Sequence, residues 1–291
     1  MERRSGVKIL FGSTRHSTGG DSGECFMITF DVVLFIIRNW TRLLIVYSLL
    51  VTFSILSFLF FDDAEIKNPS VWDFFISTFT HQFVSMIFFP ALYSLLIVDL
   101  ALHDLMENYT PMILARVSSR MSWYTAKVST LFYAAFLFVV GAVILWLTVG
   151  SLKGLPWDSF AHPAFQYGEQ NGQSPWLIIF LMIIIYIGGL TAIGSLVLWL
   201  SLWLRSSILT WLALVSSTVV SMMIYNAAPP LIIWVPFAQL MFKMHFPYYQ
   251  GDPDLYHFTV GWSGLYLLAL FLLSVILGWI QIRRLDLIKK A

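Results

Sequence analysis

An all-α polytopic membrane protein with six transmembrane helices is the fold class this sequence predicts, and three observations predict it. The 291 residues are 58% hydrophobic and only 11% charged, against about 25% charged in ordinary soluble domains. The apolar residues gather into runs of roughly 20, the length that crosses a bilayer as a helix. The basic residues are placed asymmetrically about those runs. With the N-terminus inside, Arg3, Arg4, Lys8, Arg15, Arg38, Arg42, Arg116, Arg120, Lys127, Arg205, Arg283, Arg284, Lys289 and Lys290 fall on the inner side. Only Lys67, Lys153 and Lys243 fall outside. This excess of inner Lys and Arg sets orientation, so both termini are expected in the cytoplasm. The single cysteine, Cys25, excludes an internal disulfide framework and a Cys-based zinc site.

Residues 1–26 read as a flexible polar cytoplasmic tail, or as a tag or mis-assigned start, because MITFDVVLF from Met27 looks like a natural beginning. Residues 27–291 read as one transmembrane domain. From Phe30 to Leu44 apolar residues recur on one helical face with Arg38, Asn39 and Arg42 between them. That pattern fits an amphipathic interfacial helix leading into the first span; the alternative is a long first helix projecting from the bilayer. The spans are expected at about 43–61, 74–98, 128–149, 176–200, 208–225 and 264–282. The second contains His81, Gln82 and Pro90. The stretch AAPPLIIWVPFAQLMFKMHFPYY before the last span is too apolar for a solvated loop, yet Pro229, Pro230, Pro236 and Pro247 break it. Prolines at this density prevent one spanning helix. Short re-entrant or interfacial helices on the outer face are expected, tolerable where protein covers their free backbone groups. A kinked seventh span would put the basic C-terminus outside, against the charge distribution.

Few residues carry chemistry. No GxxxxGK[ST] occurs, so the chain is not expected to hydrolyse ATP by itself. GWSG at Gly261–Gly264 matches the short serine motif of rhomboid-type intramembrane proteases. The chemistry needs Ser263 at a helix start and a His base reaching its hydroxyl. No histidine lies downstream and His257 is in a loop, so the motif reads as a helix start. Asp99, His103 and Glu107 share one helical face. They could ligate a metal, but read better as the polar face of an amphipathic helix, and no metal site is assigned. His81 and Gln82 form a polar pair within an apolar run. They are candidates for a translocation path, unless they lie at headgroup level with Trp72 and Asp73. The run GGLTAIGS places Gly188, Gly189, Ala192 and Ser195 for close helix packing.

The stretch Asp99–Lys127 stands apart. It carries Asp99, Asp104, Glu107, Arg116, Arg120 and Lys127 between two spans, and a single central Asp, Lys or Arg costs about 2.5–3.5 kcal/mol in hydrocarbon. Yet Leu100, Leu102, Leu105, Met106, Ile113 and Leu114 are too apolar for a solvated linker. A segment that lies along the membrane surface or docks on a partner satisfies both facts.

Within it, ENYTPMILARVSSRMSWYTAK at Glu107–Lys127 resembles the cytoplasmic loop of type-2 ABC exporter permeases. There an acidic residue, commonly followed by Gly-Thr, precedes a Leu-rich turn, then Ser-Arg, then a Lys at the next span. Glu107, Thr110, Met112–Leu114, Ser119, Arg120 and Lys127 occupy those places, with Tyr109 where Gly is usual. The resemblance implies a transmembrane permease subunit without a catalytic site of its own. Two such subunits, identical or not, pair in the plasma membrane, in a bacterial setting. Each docks an ATP-binding-cassette ATPase that holds ATP and Mg. Docking goes through a coupling helix built here by Glu107, Thr110, Ile113, Leu114, Arg116, Ser119 and Arg120. The cargo expected is an amphipathic peptide, drug or lipid-like molecule; membrane lipid is a partner and nucleic acid is not. Two other classes stay open: an intramembrane hydrolase, and a non-catalytic membrane immunity or scaffold protein.

Overall fold

The computed structural model describes residues 32–59 (except 34 and 38), 69–100, 102, 120–248 and 257–284. The described residues form helices and turns, with no strand beyond an isolated bridge between Phe246 and Thr259. In chain order the α-helices are α1 (Trp40–Leu59), α2 (Val71–Phe79), α3 (Phe89–Ile97), α4 (Arg120–Leu152), α5 (Pro163–Gln170), α6 (Pro175–Leu204), α7 (Ser207–Ala227) and α8 (Val260–Arg284). Five of them, α1, α4, α6, α7 and α8, are long and apolar enough to cross a membrane. The bent pair formed by α2 with residues 84–97 is a sixth if counted as one span. The chain is a multi-pass membrane protein. Before α1, the described positions 32, 33 and 35–37 are helical too, and Asn39 donates to the Phe35 carbonyl from both its backbone and its side chain.

Helix α6 is the axis. Of its most apolar stretch 61% is buried, against 17% for α1 and 22% each for α7 and α8. The peripheral helices turn Leu, Ile and Val outward, as lipid-facing surfaces require. Helix α8 packs along α6, α4 packs on the same helix, and α1 lies against α3 and α4. Small residues let these helices approach. A Cβ on Gly189 of α6 would lie 2.3 Å from Leu240, and one on Gly278 of α8 would lie 2.2 Å from the Tyr124 hydroxyl of α4. The packing expected of the GGLTAIGS run holds for Gly189, Ala192 and Ser195, which are buried. Gly188 instead faces open space.

Tyrosines reinforce the close contacts. Tyr47, Tyr93 and Tyr124 donate to the carbonyls of Leu137, Leu131 and Val275 on neighbouring helices, at 3.1, 2.8 and 3.1 Å. A phenol suits this place: its ring fills an apolar gap while its hydroxyl finds a carbonyl.

Three elements depart from the expected layout. The third span starts earlier, at Arg120, so α4 has 33 residues. At 1.5 Å per residue it extends well beyond a hydrocarbon core of about 30 Å. The loop after it folds a further helix, α5; His162 caps it, accepting from the Ala164 amide through Nδ1 at 3.1 Å. The second span is not a single straight helix, but bends by 59° between Phe79 and Val84.

Asp73 explains how that span begins. It lies at N3 of α2, with Ser70 as N-cap, in a reciprocal capping box. Its Oδ2 accepts from the Ser70 amide at 2.9 Å and from the Ser70 hydroxyl at 2.8 Å, while Oδ1 accepts from the His162 amide at 2.8 Å. One buried carboxylate thus fastens the start of α2 to the start of α5. Trp72 packs beside it against Trp157, Phe160 and Trp176.

Candidate functional site

The π turn in the second span has a sequence cause. Pro90 has no N–H, and its ring would collide with the carbonyl four residues earlier in a regular helix. The turn Val84–Phe88 widens to π geometry, with the Phe89 amide donating to the Val84 carbonyl, which relieves that collision. Above it, α2 ends at Phe79 and leaves carbonyls without helical donors. The Tyr186 hydroxyl of α6 donates to the Phe79 carbonyl, while the His81 carbonyl accepts from the Ser85 amide at 3.0 Å and from its hydroxyl at 3.1 Å. Around the bend Phe79, Phe89, Phe138, Trp146 and Tyr186 interlock edge-on and stacked, with centroids 4.7–5.5 Å apart. The two polar residues of the path expectation sit at the break itself: His81 is exposed, and Gln82 is half-buried, its amide reaching the Met222 sulfur on α7 at 2.9 Å.

Opposite the bend lies the proline-rich segment. It contains no spanning helix and folds as three short 3-10 turns, Pro229–Trp234, Phe237–Leu240 and Phe242–Met244. The middle turn packs on the π turn, on α6 and on α7. Phe237, Leu240, Met241, Phe242 and Met244 are buried, so this segment belongs to the core rather than to a solvated loop.

The segment carries a buried polar trio. Gln239, His245 and Ser263 are each 0% exposed. The Gln239 amide nitrogen donates to the carbonyls of Ile233 and Val235 at 2.9 and 3.1 Å, which fixes its orientation and turns Oε1 inward. The Ser263 hydroxyl, in the first turn of α8, lies 2.6 Å from Gln239 Oε1 and 2.6 Å from His245 Nε2. His245 Nδ1 lies 3.0 Å from the Phe242 carbonyl, and the ring stacks on Phe258 at 4.3 Å.

Counting protons assigns the states. An amide oxygen only accepts, so the Ser263 hydroxyl donates to Gln239 Oε1. Burial then pushes His245 down to about 4, against the opposing pull of backbone carbonyls at Phe242 and Met241. The imidazole is therefore neutral at pH 7, and its Nε2 lies beside the oxygen of a serine whose own proton goes to Gln239. Only an imidazolium would give every member a proton.

Sequence reasoning named Ser263 but missed its partners. It sought a histidine downstream or in the adjacent loop, whereas His245 precedes Ser263 by 18 residues and reaches it through the folded segment. The apolar character of HFPYY, which marks burial, was the available signal. Of the coupling-helix residues, Arg120 opens α4 instead of lying in the loop. Glu107, Thr110, Ile113, Leu114, Arg116 and Ser119 lie outside the described residues, as do His103 and Glu107 of the carboxylate–histidine row. Asp99 pairs with Arg42 of α1. Among the described residues no cluster of three or more His, Cys, Asp or Glu could hold a metal.

A family model described as a protein of unknown function, DUF2705, matches residues 48–288. The chain belongs to that family. No curated protein and no solved structure matches it. The matched residues include the bend, the proline-rich segment and the whole trio.

Proposed function

We propose that the chain is the permease subunit of an ATP-binding-cassette transporter. It would export an amphipathic peptide, drug or lipid-like molecule, powered by separate ATPase subunits that hold ATP and Mg. The observation that carries this reading is the broken second span facing a proline-rich segment of short turns. In membrane proteins, irregular backbone at bundle depth is tolerated where protein or a cavity covers it, and discontinuous helices recur at transport sites. His81 and Gln82 at the break are the residues for a translocation path. The resemblance at Glu107–Lys127 supplies the docking element: Glu107, Arg116 and Arg120 would make charge-assisted hydrogen bonds to a groove on the ATPase, and Ile113 and Leu114 would fill it. Two permease subunits, identical or different, would pair in a bacterial plasma membrane with both termini cytoplasmic and the proline-rich segment re-entrant from the outer face.

The test is a detergent pulldown of the full chain, with mass spectrometry and an ATPase assay on the product. Recovery of a Walker-motif ATPase, lost in Glu107→Lys and in Arg116→Glu while the chain elutes normally, is the expected result. Recovery of the chain alone, without nucleotide hydrolysis, overturns the reading.

A further inference from the structure

We propose that His81, Gln82 and Lys243 form an anion-binding mouth that receives the negatively charged head of an amphipathic cargo. This rests on the reading of the broken second span as a translocation path, and it adds Lys243 to that path. Two contacts with α7 bring the three residues together. The Gln82 amide nitrogen donates to the Met222 sulfur at 2.9 Å, and the Tyr225 hydroxyl lies 4.0 Å from the sulfur of Met244, the neighbour of Lys243. Met222 and Tyr225 are three residues apart in α7 and so share one face, with about 5–6 Å between their Cβ atoms. The break and the last 3-10 turn are thus moored side by side on one helix, and Lys243 is near enough for its charge to act on the His81 ring.

This mouth is open, unlike the buried trio. His81 is exposed, and Gln82, Lys243, Met222 and Tyr225 are half-buried, so a ligand reaches them with the turns in place. Its sign is positive: residues 74–98 and 207–248, which build it, contain no Asp or Glu. The donors suit an anion. They are an ammonium, an imidazole N–H and the second N–H of the Gln82 amide, the first being directed at Met222. Ionisable groups cost free energy in an apolar run and mark ligand paths there. The surroundings suit a tail. Phe83, two residues beyond His81, is 40% exposed. Phe53 of α1 has its ring centroid 6.3 Å from that of Phe83 and 4.4 Å from that of Phe88, so the three rings make an apolar shelf beside the break. A head held at the break and a chain laid on the phenylalanines describe a molecule with one anionic and one apolar end. Lys243 repels a cationic amphipath, and a neutral one forgoes the charge-assisted hydrogen bond.

The probe is a long-chain fatty acid bearing a diazirine in its tail, photolysed with the purified full chain in a nonionic detergent. Adducts are mapped by peptide mass spectrometry and are expected on residues 83–88 or on Phe53. Dodecanoate should displace the probe at a concentration at least about 10-fold below that needed of neutral monolauroylglycerol or of dodecyltrimethylammonium, the scale of one charge-assisted hydrogen bond. Lys243→Gln should erase that preference and Lys243→Arg should keep it. Lys153→Gln, an equal change of charge just beyond α4, should leave it unaltered. Wild-type adducts confined to other segments overturn the proposal, and that result needs no variant to fold. Equal displacement by the three competitors overturns it too, as does a preference that survives Lys243→Gln. The measurement needs neither nucleotide nor ATPase. Its failure with an ATPase recovered in the pulldown leaves a transporter whose cargo binds elsewhere, whereas loss of the ATPase partner alone strikes the transport reading.

Discussion

The contact between Tyr124 and Gly278 gives a sharp test of how α4 and α8 fit together. In Gly278→Ala the new methyl would lie 2.2 Å from the Tyr124 hydroxyl, 3.0 Å from Cζ and 3.3 Å from Cε2. The ring must move, which breaks its 3.1 Å hydrogen bond to the Val275 carbonyl. That bond is worth about 1 kcal/mol, and overpacking a fitted contact costs about 1–3 kcal/mol. Replacing a mid-helix glycine by alanine returns up to about 1 kcal/mol. The balance is a loss of about 1–3 kcal/mol, read as a lower thermal unfolding midpoint in detergent by tryptophan fluorescence. Tyr124→Phe alone should cost about 1 kcal/mol. Combined with Gly278→Ala it should recover stability, because the atom in closest collision is gone. A Gly278→Ala chain as stable as wild type, or a double variant no better than Gly278→Ala, would refute the packing argument.

Asp73→Ala removes the acceptor for two groups of Ser70 and for the His162 amide. With a lost cap costing about 0.5–2 kcal/mol and an orphaned buried amide about 1–3 kcal/mol, unfolding should come earlier by about 2–4 kcal/mol. Asn should recover only part of this, because its amide nitrogen cannot accept. The stability of the whole chain should also fall with acid. His245 is held near 4 in the folded state, by burial, and near 6.5 when unfolded. The unfolded chain therefore binds the extra proton between those values, and stability present above pH 6.5 is lost as pH falls towards 4. The loss reaches about 3 kcal/mol. A pH–midpoint curve from pH 8 to 4 should show this step in the wild-type chain and lack it in His245→Gln. A step of equal size in both would assign it elsewhere.

The spans were legible because length and hydropathy act locally. Each long helix holds enough apolar residues in sequence to declare itself, and its ends fell within a few residues of expectation except at Arg120. The bend was half legible. Pro90 was visible, but where a proline-bearing helix yields depends on which neighbour offers donors to the freed carbonyls. Here that is Tyr186, 107 residues away. The prolines of 229–247 ruled out a spanning helix for a local reason, whereas the tight burial of the turns between them is a property of the assembled core. The serine site was illegible in its essential part. Sequence spacing says nothing of distance once a chain folds back, and His245 meets Ser263 where the Phe246 amide donates to the Phe258 carbonyl beside the start of α8.

The three irregular features of this molecule meet in one place. The π turn, the short 3-10 turns and the polar trio adjoin one another, while α1, α7 and α8 are regular and turn most of their apolar surface outward. Each free backbone group in hydrocarbon costs several kcal/mol, so irregular geometry scattered among separate helices would need separate cover at each site. Gathered together, the irregular elements cover one another: the turns bury the bend, Tyr186 and Ser85 supply donors to its carbonyls, and Gln239 occupies carbonyls within the turns. Such mutual cover makes the bend and the segment one unit. Displacing the 3-10 turns would uncover the π turn on which the middle one packs, so motion at one is coupled to motion at the other through that packing. The surrounding regular helices, satisfied within themselves, can stay in place as the frame.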